Sequence, residues 1–193
     1  FSPAGVLAPK SKADLAFTMH ILSWLSTSGT AAIVEFPGVL YRGGAEQKIR
    51  KYLIDNNYID TVIQLPPDLF FGTTIATCII VLKKSKKDNS TLFIDASEEF
   101  VHEGNKNKLT EANRKRILNA YIERQDEEYF CSLIPNSKIA DNDYNIAVSS
   151  YVTKEDNSEV IQIEELNARI AEIVIKQNHL RAAIDEIVAD LEV

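Results

Sequence analysis

Residues 1–152 predict an α/β fold on a mixed sheet, joined through a polar linker at 153–160 to a long coiled-coil-type helix over residues 161–193. Three observations carry this reading. Short runs rich in Val and Ile alternate with helix-patterned stretches through the first half of the chain, the signature of strands joined by crossover helices. Two of the runs, TVIQL at 61–65 and TCIIVL at 77–82, follow one another with no helix between them, which calls for an antiparallel pair within that sheet. From Ile163 onward, apolar residues recur at alternating spacings of three and four, the seam of a helix bundle or coiled coil.

The first helix is predicted over residues 11–25, apolar around most of its circumference, blocked behind by Pro9 and ended by Gly29. TAAIVEF at 30–36 follows as a strand, which Pro37 and Gly38 break. The loop GVLYRGG then enters a second helix over residues 45–56, with Ile49, Tyr52 and Leu53 on one face. The strands have continuous apolar runs and should be buried on both faces. The basic run KKSKK at 83–87 reads as a solvated loop at a strand end in preference to a phosphate contact. TLFI at 91–94 is a further strand, residues 101–110 are polar and turn-like, and Ile117, Leu118, Tyr121 and Ile122 mark a peripheral helix over residues 111–123.

Composition narrows the function classes. With 28 acidic and 21 basic residues the net charge is −7, which argues against strong nucleic-acid binding by this chain alone and leaves a basic partner surface possible. Neither GxGxxG nor GxxxxGK[ST] occurs, so no phosphate-cradling loop is encoded and a dehydrogenase-like reading is weak. Cys78 and Cys131 fall in apolar or aromatic surroundings and are expected as reduced core thiols of a cytoplasmic protein. No stretch has the length and apolarity of a membrane span. His20, His102 and His179 are isolated from one another and from the cysteines, so no metal site is expected. Asp141, Asp143 and Asn145 have the alternate spacing of a calcium loop, but Ile146 stands where glycine is required and Val152 where a bidentate Glu is required. DNDYN is therefore read as an Asx-type turn.

The candidate site lies between the runs at 61–65 and 77–82, where a loop carries Phe70, Phe71, Gly72 and the threonines 73, 74 and 77. Two adjacent aromatics in such a loop either cover the end of a sheet or face a ligand. Tyr41, Arg42 and Glu46 lie beyond the carboxyl end of a predicted parallel strand, the edge where open α/β sheets place ligands. Arg42 reads either as a phosphate contact or as half of a surface salt bridge. The helical seam comprises Ile163, Leu166, Ile170, Ile173, Gln177, Leu180, Ile184, Ile187 and Leu191, broadened by Val174 and Val188 toward a multi-helix bundle, with Gln177 placed to set register. Its occupant is either a partner's helices or helices of this chain.

Taken together, TAAIVEFPGVLYRGG, AEQKIRKYLIDNN and LPPDLFFGTTIATCIIVLKK resemble, in order and spacing, the modification (methyltransferase) subunit of type I restriction-modification systems. KADLAFTMHILSWL and NDYNIAVSSYV extend the likeness over residues 8–152. The resemblance implies the second half of a Rossmann-like methyltransferase sheet, and transfer of a methyl group from S-adenosylmethionine to the exocyclic amino group of adenine in duplex DNA. It implies a flipped target base held on an aromatic face, with Phe70 as the stacking residue and Phe71 as second choice. Thr73, Thr74 and Thr77 are then either DNA contacts or strand ends. The implied partners are the specificity subunit, docked on the carboxy-terminal seam, the restriction subunit, and duplex DNA in the full assembly; the isolated chain is expected to self-associate through that seam. Two departures qualify this. The family's catalytic Asn/Asp-Pro-Pro-Tyr/Phe sequence is absent, Pro66-Pro67 being preceded by Gln64-Leu65 and followed by Asp68, and so is its glycine-rich cofactor loop. Both are expected upstream of Phe1, so no catalytic residue is assigned here and the chain should not methylate alone. The competing expectation is a non-catalytic assembly module that docks a partner through its last helix.

Overall fold

The chain divides into two compact units, Phe1–Glu155 and Asp156–Val193, of which the computed structural model describes residues 2–154 and 163–191. In the first unit α1 (Asp14–Trp24) leads to β1 (Thr30–Glu35), a 3-10 turn at Pro37–Leu40, α2 (Ala45–Asp55) and β2 (Ile59–Gln64). There follow β3 (Cys78–Lys83), β4 (Ser90–Asp95), a hairpin of β5 (Val101–Glu103) and β6 (Lys106–Lys108), α3 (Glu111–Glu123), β7 (Cys131–Pro135) and α4 (Asn136–Asp141). The main sheet has the order β1-β3-β2-β4-β7. Only β2 and β4 are parallel neighbours; the other three pairings are antiparallel.

The antiparallel β2–β3 pair is the one the sequence calls for, with Val62 opposite Ile80 and Gln64 opposite Cys78. The sheet is mixed, as expected, but the alternation of strands and helices does not specify its order. β1 and β2 point the same way, but β3 returns between them and pairs with both. Both edges of the most apolar strand are thereby hydrogen-bonded, leaving no open backbone edge at the buried centre.

Successive side chains feed two cores. Val62, Ile80, Leu82, Phe93 and Ile134 pack with α1, α2 and α4 in one, and Ile63, Leu92 and Ile94 pack with Ala120 of α3 in the other. Burial on both faces explains the unbroken apolar runs of β2, β3 and β4. The edge strand β1 is the exception, for Thr30, Ala32 and Val34 are exposed while Ala31 and Ile33 pack on the first core.

Several local expectations are corrected. α1 buries only Leu15, Thr18 and Leu22, a single stripe, and leaves Phe17 and Trp24 exposed. It ends because Leu25 is extended (φ −65°, ψ 129°), and Gly29 instead closes a separate turn onto the Ser26 carbonyl. The run at 83–87 is tied down, since Lys84 Nζ donates to the Leu25 carbonyl and Lys86 Nζ to that of Ile59. β7 and α4 have no counterpart in the sequence reading, and the stretch read as turn-like contains the β5–β6 hairpin. Other expectations hold. Asn145 Oδ1 accepts from the Ala147 N–H at 2.9 Å in an Asx turn, after Asp143 and Tyr144 take left-handed φ values of 53° and 55°. Both cysteines are free and buried.

The second unit is α5 (Ile163–Leu191), 29 residues, about 43 Å at 1.5 Å per residue. Ile163, Leu166, Ile170, Ile173, Gln177, Leu180, Ile184 and Ile187 are all exposed along it. Residues 155–162, which include most of the expected linker, and the Leu191 side chain lie outside the described residues. No described helix is long and apolar enough to cross a membrane.

Candidate functional site

Because β1, β2 and β4 point the same way, the segments that follow them emerge at one end of the sheet. These are the turn at Pro37–Leu40 with Tyr41 and Arg42 beyond it, the aromatic loop, and the approach to the β5–β6 hairpin. The basic run at 83–87 follows β3 and lies at the opposite end. A row of paired residues marks the rim, Glu35 opposite Cys78, Cys78 opposite Gln64, and Gln64 opposite Asp95.

The aromatic loop is drawn together at its neck. The Leu65 N–H donates to the Thr77 carbonyl at 2.9 Å, and Gln64 Nε2 donates to that same carbonyl at 3.1 Å. Pro66 and Pro67 then stiffen the outgoing strand, and Asp68 takes a left-handed φ of 57°. Leu69 packs on the second core. Phe70 follows at 42% exposure and Phe71 at 102%, so the two rings share a crown but not an environment. Gly72 supplies the φ of 79° that brings the chain back.

The three threonines divide. Thr77 is buried in the neck, so its hydroxyl faces no solvent, whereas Thr74 is exposed and Thr73 Oγ1 accepts from the Ile75 N–H at 3.1 Å. At the neighbouring turn Arg42 folds back over Gly38, where an added Cβ would meet the guanidinium carbon at 2.3 Å. Its Nη1 lies 3.5 Å from Oε1 of Glu46, which is 3% exposed. Tyr41 remains exposed beside them. The structure thus brings the loop and the Arg42 turn to one rim and leaves Arg42 facing a carboxylate of its own chain.

Sequence reasoning missed the residues that hold this rim. Glu35 is buried, accepts from Thr18 Oγ1 at 2.8 Å, and has its pKa raised by burial, with the hydrogen bond opposing the shift. A single acid closing the run TAAIVE was the available signal. Arg50, at 1% exposure, donates from Nε to the Tyr144 carbonyl at 2.8 Å and from Nη1 to the Val39 carbonyl at 2.9 Å, locking the post-β1 turn to the DNDYN turn. Asn107 and Lys106 reach the aromatic loop from the hairpin. For these two nothing in the local sequence is a signal.

The chain is similar to methylase subunits of type I restriction enzymes. The methylase subunit of the type I restriction enzyme MpnII of Mycoplasma pneumoniae is 48% identical over 194 residues, covering 100% of this chain and 36% of its own length. That of MjaVIII from Methanocaldococcus jannaschii is 35% identical over 188 residues, covering 92% of this chain and 32% of its own length. The crystal structure of a type I restriction-modification methyltransferase subunit from Streptococcus thermophilus has a TM-score of 0.77 at 48% identity, covering 79% of this chain and 33% of that one. The chain therefore spans about a third of the length of the curated relatives it matches. The model of the family described as N-6 DNA Methylase matches residues 1–160, and the chain belongs to that family.

Proposed function

We propose that this chain supplies the base-holding face of a DNA adenine methyltransferase subunit of a type I restriction-modification system. The complete cytoplasmic enzyme moves a methyl group from S-adenosylmethionine to the exocyclic amino group of adenine. The observation that carries this reading is an exposed aromatic pair on a loop tied at its neck and flanks. A flipped adenine loses the stacking of its neighbours, and a ring on a fixed loop replaces it at about 1–3 kcal/mol per base. Phe70, partly seated on the loop, has less freedom to lose and is the stacking residue; Phe71 is the second aromatic. Beside them Thr73 and Thr74 have only hydroxyl groups to offer a DNA phosphate, and Arg42 would first have to leave Glu46.

The residues present do not by themselves make a cofactor site. The glycine that follows β1 is covered by Arg42, and no glycine-rich loop is encoded. The work assigned to this chain is therefore to receive and orient the base, and methyl transfer depends on the portion of the subunit that this sequence does not span. Alone, the chain is inactive. The exposed seam of α5 supports a second role, coiled-coil-type docking of the specificity subunit, within an assembly that also carries the restriction subunit and duplex DNA.

In the assembled enzyme, Phe70→Ala should lower the methylation rate by about tenfold. It should also change the fluorescence of a 2-aminopurine placed at the target adenine. Unchanged rate and fluorescence in Phe70→Ala and in the Phe70→Ala, Phe71→Ala double variant would remove the base-holding role.

A further inference from the structure

The β5–β6 hairpin contributes nothing to either core. Its strands are Val-His-Glu and Lys-Asn-Lys, and Asn107 is the one buried residue among the six. Apolar packing does not account for such an element, and its polar contacts run to the aromatic loop. We propose that the hairpin is a brace that sets the pose of Phe70 and Phe71, with Asn107 and Lys106 as positioning residues; this rests on the base-holding reading of the loop.

The grip is made on both sides of the rings. Ahead of them, the Asn107 backbone N–H donates to the Asp68 carbonyl at 3.1 Å and Asn107 Nδ2 donates to the Pro67 carbonyl at 2.9 Å. Behind them, Lys106 Nζ donates to the Thr73 carbonyl at 3.1 Å, and the same ammonium lies 3.4 Å from Asp68 Oδ1. One lysine thus spans the loop from residue 68 to residue 73. Asp68, a non-glycine residue at φ 57°, sits in a region that costs energy unless its surroundings impose it. The hairpin is itself anchored. Glu99, just before β5, accepts from Asn113 Nδ2 at 2.8 Å and pairs with Arg116, both on α3, and Leu109 just after β6 packs on the second core. Lys108 and Glu103 pair across the two strands at 2.6 Å. A rigid helix is thereby linked to the crown of the loop through a short ladder. Holding a ring in place before the base arrives matters because a misplacement of about 1 Å can cost on the order of a hundredfold in rate.

The test uses the assembled enzyme with an adenine-containing duplex for kcat and, for the pose of the base, a matching duplex in which 2-aminopurine replaces the target adenine. Lys106→Ala and Asn107→Asp, the latter isosteric but without the amide donor, should each lower kcat by about tenfold or more. Amide exchange of residues 68–74 should accelerate, the 2-aminopurine signal should change, and the DNA dissociation constant should stay within about twofold. Lys106→Arg, which keeps donors and charge, should restore kcat. Unchanged kcat and loop exchange overturn the brace, as does a loss confined to DNA affinity with a shallower salt dependence, which would make Lys106 a phosphate contact. The Phe70→Ala, Phe71→Ala double variant separates the two failures. If it too is fully active, the base-holding reading falls and the brace with it; if it is impaired while the hairpin variants are not, the brace alone falls.

Discussion

At the scale of single residues, the rim of the sheet is held by side chains whose charge is costly to bury. Glu35 closes β1 with a carboxyl group withdrawn from water, and Thr18 supplies one hydrogen bond in compensation. Its pKa is raised above the ordinary 4.5, chiefly by burial, so the folded chain holds this proton more tightly than the unfolded chain. The stability that the group contributes is complete below the unfolded value and declines as pH rises through the raised folded value. Glu35→Gln, which retains an acceptor for Thr18, should flatten that decline and raise stability at neutral pH. Urea-unfolding midpoints at about pH 5 and about pH 8 measure it, and an equal slope in both proteins would contradict the assignment. The neighbouring Cys78 thiol, pushed up to about 12 mainly by burial, donates to the Glu35 carbonyl and is inert as a nucleophile.

At the scale of elements, the site is made of turns, and Arg50 is what joins two of them. Burial lowers its pKa to about 10, which still leaves it charged at neutral pH. Its donors satisfy carbonyls in the turn after β1 and in the DNDYN turn. Arg50→Met should therefore destabilise the first unit by about 2–4 kcal/mol in denaturant titration, through orphaned carbonyls at two distant places. This also shows where sequence reading stops. β2, β3 and the loop between them were legible because Val- and Ile-rich runs buried on both faces need no partner to be recognised. β7 was not, since CSLIP has a serine at its second position and ends on proline, and becomes a strand by pairing with β4. The rings of the candidate site were visible as residues, but the grip of Asn107 on Pro67 joins positions 40 apart in the chain and has no local signature. Likewise Arg42 offered two readings until its distance from Glu46 was in hand.

At the scale of the molecule, the two proposed tasks fall on different units. The first has two cores of its own, and α5 presents an exposed apolar seam. Removing residues 161–193 should leave the thermal unfolding of the first unit nearly unchanged while abolishing co-purification with the specificity subunit. Retention of the partner by the shortened protein would exclude the helix as the docking element. The insertion of β3 between β1 and β2 has a consequence in time. During synthesis β1 is complete at residue 35, yet the strand that pairs with it spans Cys78–Lys83, so β1 has no neighbour on that edge until the intervening segment has left the ribosome. Closing contacts of such long sequence separation is slow. The last strand to arrive between β1 and β2 is the one that draws the neck of the aromatic loop shut, so in a newly made chain this central pairing and the closing of the neck come together, before the hairpin that grips the loop has been made.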